Sequence, residues 1–344
     1  MSFRIWSDLL GLRGTLEFRT VRSAALAGNA FGDSNERFLA VYLPPNYDPN
    51  GSQRYYTIYY LHGHGSNLAK MLAAAPWERN LVQMVDDAMY GGAMRPAILV
   101  LLDGATRLGG SQYVDSLQNG KVARHIAFEI VDEVDRRYRS IARASARAIV
   151  GKSSGGFGAI HIAARYPTRF SAAGSIAGDA YFQMTMPALF PAAQRALERF
   201  GGDPAAFVAA FERDPVRRGE DFSALFILAC AAAYSPRSAT EFDFALPFDI
   251  RTGEMDEGTF ARWLAFDPAE YDVPRLAALA QLSLCYLDAG RRDEFGLDIA
   301  ARALARRFGE AGVRVRSEEF AGGHRNTTER AIGAISALLE VLDR

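Results

Sequence analysis

The residues best suited to chemistry lie around Ser153, which occupies the centre of a Gly-x-Ser-x-Gly motif. Residues 147–150 before it form an apolar run typical of a buried parallel strand. Residues 157–166 after it have a helical pattern that Pro167 ends. A strand that turns sharply into a helix through small residues holds a serine in a strained conformation, with its hydroxyl clear of the sheet. The sequence therefore predicts a nucleophilic serine rather than a plain glycine-serine loop.

A serine hydroxyl is a weak nucleophile and needs a base, and histidine suits this role because its pKa lies near neutrality. The chain has five histidines. His125 and His161 lie in helical sequence and are expected to be structural, while His62 and His64 share one loop. His324 lies in a glycine-rich loop after the last predicted strand, and ligands of open parallel sheets bind beyond such strand ends. We therefore predict that His324 is the base.

The base requires a carboxylate that fixes its tautomer and stabilises the imidazolium. The acids that follow the predicted strand at 282–287 are Asp288, Asp293 and Glu294. Asp288 lies at the very end of the strand, where a buried aspartate can simply hold a loop. Asp293 lies beyond the turn and can reach back towards His324, so we prefer it. Glu294 is expected at the start of the next helix, where a negative charge is favourable.

The backbone is predicted to supply the oxyanion hole. One donor is the N–H of Ser154, the residue after the nucleophile. The second donor is expected from the loop after the third strand, where Gly63 and Gly65 allow close approach, and we assign it to the backbone N–H of His64. The rings of His62 and His64 are an alternative pair of metal ligands, but no matching carboxylate pair accompanies them. We expect neither a metal nor an organic cofactor.

The elements that would hold these residues alternate between strand and helix. The predicted strands cover residues 16–23, 37–43, 55–61, 97–102, 147–150, 170–176, 282–287 and 313–320. The predicted helices cover residues 67–75, 77–90, 121–138, 157–166, 294–311 and 328–342. This alternation predicts an α/β fold with a mostly parallel sheet, an antiparallel N-terminal edge and helices on both faces.

One region, residues 181–280, interrupts this alternation, because about a hundred residues stand where a single crossover helix would suffice. Its helical stretches are at 205–211, 222–233 and 259–264. We predict a helical cap inserted over the functional edge of the sheet. Residues 1–180 and 281–344 would then form the core.

The composition of the 344 residues disfavours a nucleic-acid-binding, disulfide-rich or membrane-spanning protein. The chain balances 39 basic against 40 acidic side chains and has no basic stripe that would favour nucleic acid. Cys230 and Cys285 lie in apolar runs, so we expect buried small hydrophobes rather than a disulfide. The N-terminal sequence lacks the pattern of a secretion signal, and no apolar stretch of about 18 residues could span a membrane. We therefore expect a cytoplasmic protein that binds neither nucleic acid nor membrane, and a homo-oligomer stays open.

Several motifs of the chain, taken together, resemble a known family. They are LPPNY at 43–47, YLHG at 60–63, GKSSGGFGA at 151–159, DAG at 288–290 with Asp293, and GGH at 322–324. These residues resemble the α/β-hydrolase family named "Putative esterase", which includes feruloyl esterases, enterochelin esterases, S-formylglutathione hydrolases and mycolyltransferases. The similarity covers residues 16–179 and 282–344.

The resemblance implies an α/β-hydrolase fold and a set of site residues. It implies that Ser153 is the nucleophile, Asp293 the acid and His324 the base. It also implies that the N–H groups of His64 and Ser154 form the oxyanion hole. The order of nucleophile, acid and base along the chain is the one that α/β-hydrolases have.

Two positions depart from the family pattern. Methionine is usual where Ser154 stands, and a tryptophan usually follows the histidine closely, where this chain has Arg-Asn at 325–326. The first change leaves a backbone donor intact, and the second predicts a different substrate pocket. Residues 109–116 resemble a loop that lines the site, where Asp115 either contacts the substrate or braces the loop. Trp263 of the predicted cap either reaches an acyl or aryl group or packs inside the cap.

We predict a carboxylic-ester hydrolase that acts on a small-molecule ester through an acyl-serine intermediate. One alternative is an acyltransferase with the same triad, in which an alcohol or amine outcompetes water. A second alternative is a non-catalytic binding protein on the same fold, although the presence of all three triad residue types disfavours it. The identity of the ester depends on how the insertion folds over the site.

Overall fold

The structure is a computed structural model that describes residues 4–214 and 217–343. The strands are β1 Thr15–Arg22, β2 Glu36–Leu43, β3 Tyr56–Leu61, β4 Ala97–Leu102, β5 Asp115–Ser116, β6 Gly120–Lys121, β7 Arg147–Lys152, β8 Ala172–Ile176, β9 Leu284–Gly290 and β10 Val315–Phe320. The helices are α1 Arg4–Leu9, α2 Leu68–Met71, α3 Leu81–Tyr90, α4 Val122–Arg124, α5 Val131–Arg137, α6 Ser154–Arg165, α7 Phe182–Thr185, α8 Phe190–Glu198, α9 Pro204–Arg213, α10 Gly219–Tyr234, α11 Glu257–Leu264, α12 Val273–Ala280, α13 Leu297–Glu310 and α14 Thr328–Val341.

Eight strands form one sheet in the order β1-β2-β4-β3-β7-β8-β9-β10, and β5 pairs with β6 separately. Strand β1 pairs antiparallel with β2, and β2 pairs antiparallel with β4. From β4 to β10 the neighbouring strands are parallel. The predicted mostly parallel sheet with an antiparallel N-terminal edge is therefore confirmed.

Successive side chains of a strand point to opposite faces of the sheet, and here both faces are covered by helices. On one face Tyr59 and Ile149 belong to a buried cluster that includes side chains of α5, α6 and α13. On the other face Ile58 and Val150 belong to a cluster that includes side chains of α3 and α14. Burial on both faces explains why the central strands have nearly continuous apolar sequences.

The segment between β8 and β9 supplies most of a third buried cluster, which also includes Phe31, Leu108, Val114 and Phe157 from the rest of the chain. Helix α10 lies at the centre of this cluster, and its residues 223–234 are buried around the whole helix, as in a helix that is apolar on every side. The helices expected at 205–211, 222–233 and 259–264 correspond to α9, α10 and α11. Helices α7, α8 and α12 were not anticipated, and the division into core and cap stays a prediction.

The helices between β3 and β4 are shorter than predicted at 67–75 and 77–90. Helix α2 has a single turn, and α3 begins four residues later than expected. Pro76 disfavours helical backbone in the residue before it. Asn80 then starts α3 with a capping box, because its side chain accepts a hydrogen bond from the backbone N–H of Gln83 at 3.0 Å.

The helix predicted at 121–138 is continuous from α4 to α5, but its middle, His125–Ile130, is π-helical. Within this wider turn His125 Nδ1 lies 2.6 Å from Glu129 Oε2. Glu129 in turn accepts a hydrogen bond from the backbone N–H of Ala25 at 3.0 Å. The contact confirms a structural role for His125, whose pKa is lowered by burial.

Both cysteines are buried and free, as the apolar runs around them predict. His161 is buried on α6, where its ring stacks on Phe157 with the centroids 5.7 Å apart. In the part of the chain that the structure describes, no helix is both long enough and apolar enough to cross a lipid bilayer.

Candidate active site

Ser153 stands at the turn between β7 and α6 with φ 55° and ψ −126°. Such a backbone conformation is uncommon for a residue with a Cβ atom and costs on the order of 1–3 kcal/mol, so the surrounding structure must hold it. The backbone N–H of Ser153 donates to the carbonyl oxygen of Ile176 at 2.9 Å, which ties the turn to the end of β8. The strained turn predicted from the sequence is present.

Two glycines let the backbone of this turn pass close to its neighbours. A Cβ atom added to Gly151 would lie 2.3 Å from the carbonyl oxygen of Gly155, and one added to Gly155 would lie 2.2 Å from the carbonyl oxygen of Leu61. Both contacts are with backbone, which cannot move aside without separating β3, β7 and α6. A side chain at either position is therefore incompatible with the turn.

We expect Gly155→Ala to lower the free energy of unfolding by about 3 kcal/mol or more, because overpacking against backbone forces the strands and the helix apart. Gly309→Ala is the matched control, since a Cβ there meets no atom within 4 Å on helix α13. That variant should be neutral or up to about 1 kcal/mol more stable. Urea unfolding of the purified proteins measures both values, and equal stabilities would contradict this account of the turn.

The structure brings Ser153, His324 and Asp293 together. Ser153 Oγ lies 3.1 Å from His324 Nε2, and His324 Nδ1 lies 2.9 Å from Asp293 Oδ2. With the proton on Nδ1 donated to the carboxylate, Nε2 is free to accept the serine proton. The Asp293 side chain is 0% exposed and that of His324 12%, so the relay is shielded from water.

Sheet register explains why these two loops meet. Strands β9 and β10 are parallel neighbours whose last residues, Gly290 and Phe320, pair with each other. The turn that carries Asp293 and the loop that carries His324 therefore leave the sheet at the same edge. The ring of Phe295 packs edge-on against the imidazole, with 4.9 Å between the ring centres.

Of the three candidate acids, Asp293 is the one whose carboxylate is positioned to accept a hydrogen bond from His324. Its Oδ1 accepts hydrogen bonds from the backbone N–H groups of Phe295 at 2.9 Å and Leu297 at 3.4 Å, which leaves Oδ2 for the histidine. Asp288 is buried and forms an ion pair with Arg330 at 2.8 Å, so it braces α14. The interpretation of Asp288 as a residue that holds a loop agrees with this contact.

The expected place of Glu294 at the start of the following helix is wrong. Helix α13 begins at Leu297, after Gly296 in the left-handed conformation with φ 73°. The carboxylate of Asp293 already binds the first N–H groups of this turn, so the helix starts later than the sequence pattern suggested. Glu294 instead accepts the backbone N–H of His324 at 2.7 Å and holds the histidine loop.

The two predicted oxyanion donors flank the serine. A Cβ added to Gly63 would lie 3.1 Å from Ser153 Cβ, so the loop that carries His64 passes beside the nucleophile. Ser154 is the first residue of α6, where a backbone N–H has no partner within the helix and favours negative charge. No described residue accepts a hydrogen bond from the backbone N–H of His64. The role of both groups stays a prediction.

The rings of His62 and His64 brace their loop. His62 Nδ1 donates to the carbonyl oxygen of Gly63 at 2.8 Å, and its Nε2 accepts from the backbone N–H of Gly104 at 2.9 Å. The His64 ring packs edge-on against Phe226, and burial lowers the pKa of His64 to about 3. Over residues 4–214 and 217–343, no three histidine, cysteine, aspartate or glutamate side chains are placed to hold a metal ion.

Sequence reasoning missed Asp179, a buried residue just beyond β8. Its Oδ2 accepts a hydrogen bond from Ser154 Oγ at 2.9 Å, so the serine that stands where the family has methionine has a polar partner. Burial raises the pKa of Asp179 to about 6, although the hydrogen bond from Ser154 and the nearby His324 act in the opposite direction. An acidic residue three positions beyond the end of an apolar strand, at the carboxyl edge of the sheet, was the signal available for Asp179 itself but not for its contact with Ser154.

Because folding raises the pKa of Asp179, the folded chain binds this proton more tightly than the unfolded chain. The resulting stabilisation is complete below pH 4 and is lost as the pH rises to about 6. We therefore expect the stability of Asp179→Asn relative to the wild type to rise by about 2 kcal/mol between pH 4 and pH 7. Urea unfolding across this range tests the prediction, and a stability difference that does not depend on pH would contradict it.

Ser153 and His324 line two cavities of opposite character. The apolar pocket contains about 420 Å³ of space, a figure that includes open solvent. Its other lining residues are His64, Asp179, Thr185, Met186, Leu189, Phe222, Phe226, Phe295 and Leu297. The cleft is larger and less apolar, with about 2510 Å³ that includes open solvent, and several basic side chains are among the residues that line it. The nucleophile therefore faces an apolar space on one side and a charged one on the other.

Two other candidate substrate contacts have structural partners instead. Trp263 is 0% exposed, lines neither cavity, and donates its indole N–H to Ser235 Oγ at 2.8 Å. Asp115 accepts hydrogen bonds from the backbone N–H of Arg124 at 3.1 Å and from the hydroxyl of Tyr166 at 3.2 Å. These contacts favour packing for the tryptophan and bracing of the loop for the aspartate.

Comparisons with known proteins agree with the fold described above. A ferulic acid esterase is 18% identical with a TM-score of 0.61, covering 96% of this chain and 99% of its own. An S-formylglutathione hydrolase from Agrobacterium tumefaciens is 15% identical with a TM-score of 0.54, covering 96% of each chain. A fluorophosphonate-binding serine hydrolase from Staphylococcus aureus is 14% identical with a TM-score of 0.58, covering 95% of this chain and 98% of its own. At these identities the likeness shows the fold.

No curated protein matches the chain. Residues 34–328 match the family described as "Putative esterase", which is most of the sequence. The fold of the solved relatives and the sheet described above agree with that match. The chain therefore belongs to the Putative esterase family and is a carboxylic-ester hydrolase with the α/β-hydrolase fold.

Proposed function

We propose that the chain hydrolyses carboxylic esters through an acyl-serine intermediate, with Ser153 as nucleophile, His324 as general base and acid, and Asp293 as the residue that orients the histidine. The observation that carries this proposal is the pair of short contacts along the relay, 3.1 Å from serine to histidine and 2.9 Å from histidine to aspartate. A relay of this geometry activates a hydroxyl that would otherwise be a weak nucleophile.

In the first half of the reaction Ser153 Oγ bonds to the ester carbonyl carbon while its proton moves to His324 Nε2. The carbonyl oxygen becomes an oxyanion that accepts hydrogen bonds from the backbone N–H groups of Ser154 and His64. Losing one such donor typically removes about 3–4 kcal/mol of transition-state stabilisation. The carbon–oxygen bond to the alcohol then breaks, and His324 returns the proton to the leaving alcohol.

In the second half water attacks the acyl group and His324 accepts the water proton. The second tetrahedral intermediate collapses, the bond to Ser153 Oγ breaks, and the serine regains its proton. The carboxylic acid leaves and the free enzyme is restored. Every step of this cycle uses the substrate, water, the three side chains and the two backbone N–H groups.

The two cavities suggest where the two parts of the ester bind. The apolar pocket is lined by aromatic and aliphatic side chains and suits a short acyl chain or one aromatic ring. The cleft is open to solvent and suits the alcohol, which must leave before water attacks. We therefore assign the acyl group to the apolar pocket and the alcohol to the cleft.

A panel of p-nitrophenyl esters with acyl chains of increasing length and with aryl acids tests the proposal. We expect turnover, with kcat/KM highest for short or single-ring acyl groups, and release of acid and alcohol in equal amounts. Adding methanol or an amine as a competing acceptor separates hydrolysis from acyl transfer. A lack of turnover across the panel would overturn the proposal, and transfer of most acyl groups to a dilute acceptor would favour the acyltransferase.

A further inference from the structure

Lysine is rare in this chain, which has 3 lysines against 36 arginines. Two of the three, Lys70 and Lys152, line the cleft beside the nucleophile. The third, Lys121, ends the short strand β6 and lines neither cavity of the site. Two of the three lysine ammonium groups of this chain therefore lie in the cleft beside Ser153.

The basic side chains of the cleft come from separate elements that meet at the carboxyl edge of the sheet. Lys70 lies on α2 after β3, Lys152 ends β7 directly before the nucleophile, and Arg325 directly follows His324. In total seven basic and two acidic residues line the cleft. The whole chain carries a net charge of −1, so the lining of the cleft, with five more basic than acidic residues, is more positive than the protein as a whole.

These three side chains form no ion pair within residues 4–214 and 217–343. Other basic residues of the same cleft are paired. Arg79 binds Asp87 at 2.6 Å, and Arg107 binds a glutamate of α9 at 2.7 Å. Of the basic residues of the cleft that have no ion pair in the described part of the chain, these three lie on the elements next to the serine and the histidine, whereas Arg217 and Arg218 lie directly before helix α10.

Of the three basic residues, Lys152 is half-buried and lies close enough to several charged groups for them to shift its pKa. Burial lowers its pKa, and the charges of Lys70 and Arg325 act in the same direction. Asp293 and Glu294 act in the opposite direction, but both carboxylates already accept hydrogen bonds from His324. Lys70 and Arg325 each repel the charge of Lys152, and a bound anion would relieve that repulsion.

We propose that Lys70, Lys152 and Arg325 form a subsite, here called the anion subsite, that binds a carboxylate, sulfate or phosphate group on the alcohol part of the ester. The inference rests on the proposed function, because that function assigns the alcohol to the cleft. Lysine supplies point charges and arginine a planar pair of donors, and both bind oxyanions in proteins. The substrate class is then an ester of an anionic alcohol.

Acetate esters with matched leaving groups test the anion subsite. The neutral ester is p-nitrophenyl acetate, the anionic one is 3-acetoxy-4-nitrobenzoate, and the cationic one is 3-acetoxy-N,N,N-trimethylanilinium. After correction for the intrinsic hydroxide-catalysed rate of each ester, we expect kcat/KM in the order anionic, neutral, cationic. Raising NaCl from 0.05 to 0.5 M should reduce the preference for the anionic ester, since salt screens exposed charges.

Single substitutions assign the preference to residues. In Lys70→Met, Lys152→Met and Arg325→Met we expect the ratio of kcat/KM for the anionic ester to that for the neutral ester to fall roughly threefold to tenfold each. The ratio cancels any loss common to both esters. Lys121→Met is the control, and both its ratio and its activity should match the wild type.

Inhibition by inorganic phosphate and sulfate shows whether the subsite binds an anionic group carried by the substrate or a free anion. If the subsite binds an anionic group of the substrate, phosphate and sulfate inhibit hydrolysis of the anionic ester more strongly than hydrolysis of the neutral ester. Lys152→Met then reduces this difference in inhibition. Equal corrected rates for the three esters, or ratios unchanged in all three variants, would overturn the anion subsite while leaving ester hydrolysis intact. No turnover of any of the three esters would instead overturn the proposed function.

Reductive methylation with formaldehyde gives a readout that does not depend on turnover. Because the chain has 3 lysines, peptide mass spectrometry can follow each one separately. We expect the product 3-hydroxy-4-nitrobenzoate to slow the methylation of Lys70 and Lys152 and not that of Lys121. Equal protection of all three lysines, or of none, would contradict the anion subsite.

Discussion

Ser153→Ala is expected to lower kcat for p-nitrophenyl acetate by on the order of 10⁵ to 10⁶-fold. The variant keeps the shape of the turn but lacks the atom that bonds to the carbonyl carbon. The residual rate would come from the oxyanion donors and from substrate binding alone, which retain only a small part of the acceleration in enzymes of this type. Stopped or continuous absorbance assays of p-nitrophenolate measure the loss.

The loss is informative only if the variant folds. Alanine and serine have similar preferences at the positive φ of residue 153, so the thermal unfolding midpoint should change little. Ser317→Ala is a suitable control, because that serine is exposed on β10 at a distance from the site. A folded Ser153→Ala protein with turnover within tenfold of the wild type would exclude residue 153 as the nucleophile.

Asp293→Asn is expected to lower kcat by about 10⁴-fold, because the amide favours the wrong tautomer of the histidine. The backbone N–H groups of Phe295 and Leu297 point at Oδ1, so they would hold the amide oxygen on that side. The amide nitrogen would then face His324 Nδ1 as a donor. The proton of the neutral imidazole would move to Nε2, which could no longer accept the proton of Ser153.

The two neighbouring acids provide matched controls for this prediction. Asp288→Asn removes the ion pair with Arg330, and Glu294→Gln keeps an oxygen that can accept a hydrogen bond from the backbone N–H of His324. We expect each to lower kcat less than tenfold, with a loss of stability for the buried Asp288. If either control lost as much activity as Asp293→Asn, the assignment of the acid would be wrong. The steady-state kinetics of the three variants at one pH make this comparison.

The sequence was sufficient to predict the mostly parallel sheet. Parallel strands that are buried on both faces have continuous apolar runs that few other elements share. It was also sufficient to place Ser153 and His324 at one edge, since chain order and strand ends restrict where loops can converge. The sequence favours Asp293 over Asp288 because Asp293 lies beyond the turn, from where it can reach back towards His324. The hydrogen bonds that hold its Oδ1 explain that choice and are not visible in a linear sequence.

What the sequence did not provide depends on contacts between distant segments. Asp179 meets Ser154 only after β8 and α6 are packed side by side, so neither residue type nor spacing indicated the pair. The position of Trp263 follows from the packing of helices α8, α10 and α11, none of which has a partner fixed by local pattern. The π-helical turn at His125–Ile130 likewise has no signature in hydrophobic periodicity.

The central claim is that Ser153 becomes covalently acylated, and a fluorophosphonate probe tests it most directly. We predict one adduct per chain after brief incubation, mapped by peptide mass spectrometry to the segment that contains Ser153. Labelling should be lost in Ser153→Ala and slowed at least tenfold in His324→Ala, because the histidine activates the hydroxyl. An unlabelled wild-type protein, or an adduct on another residue that persists in Ser153→Ala, would contradict the account.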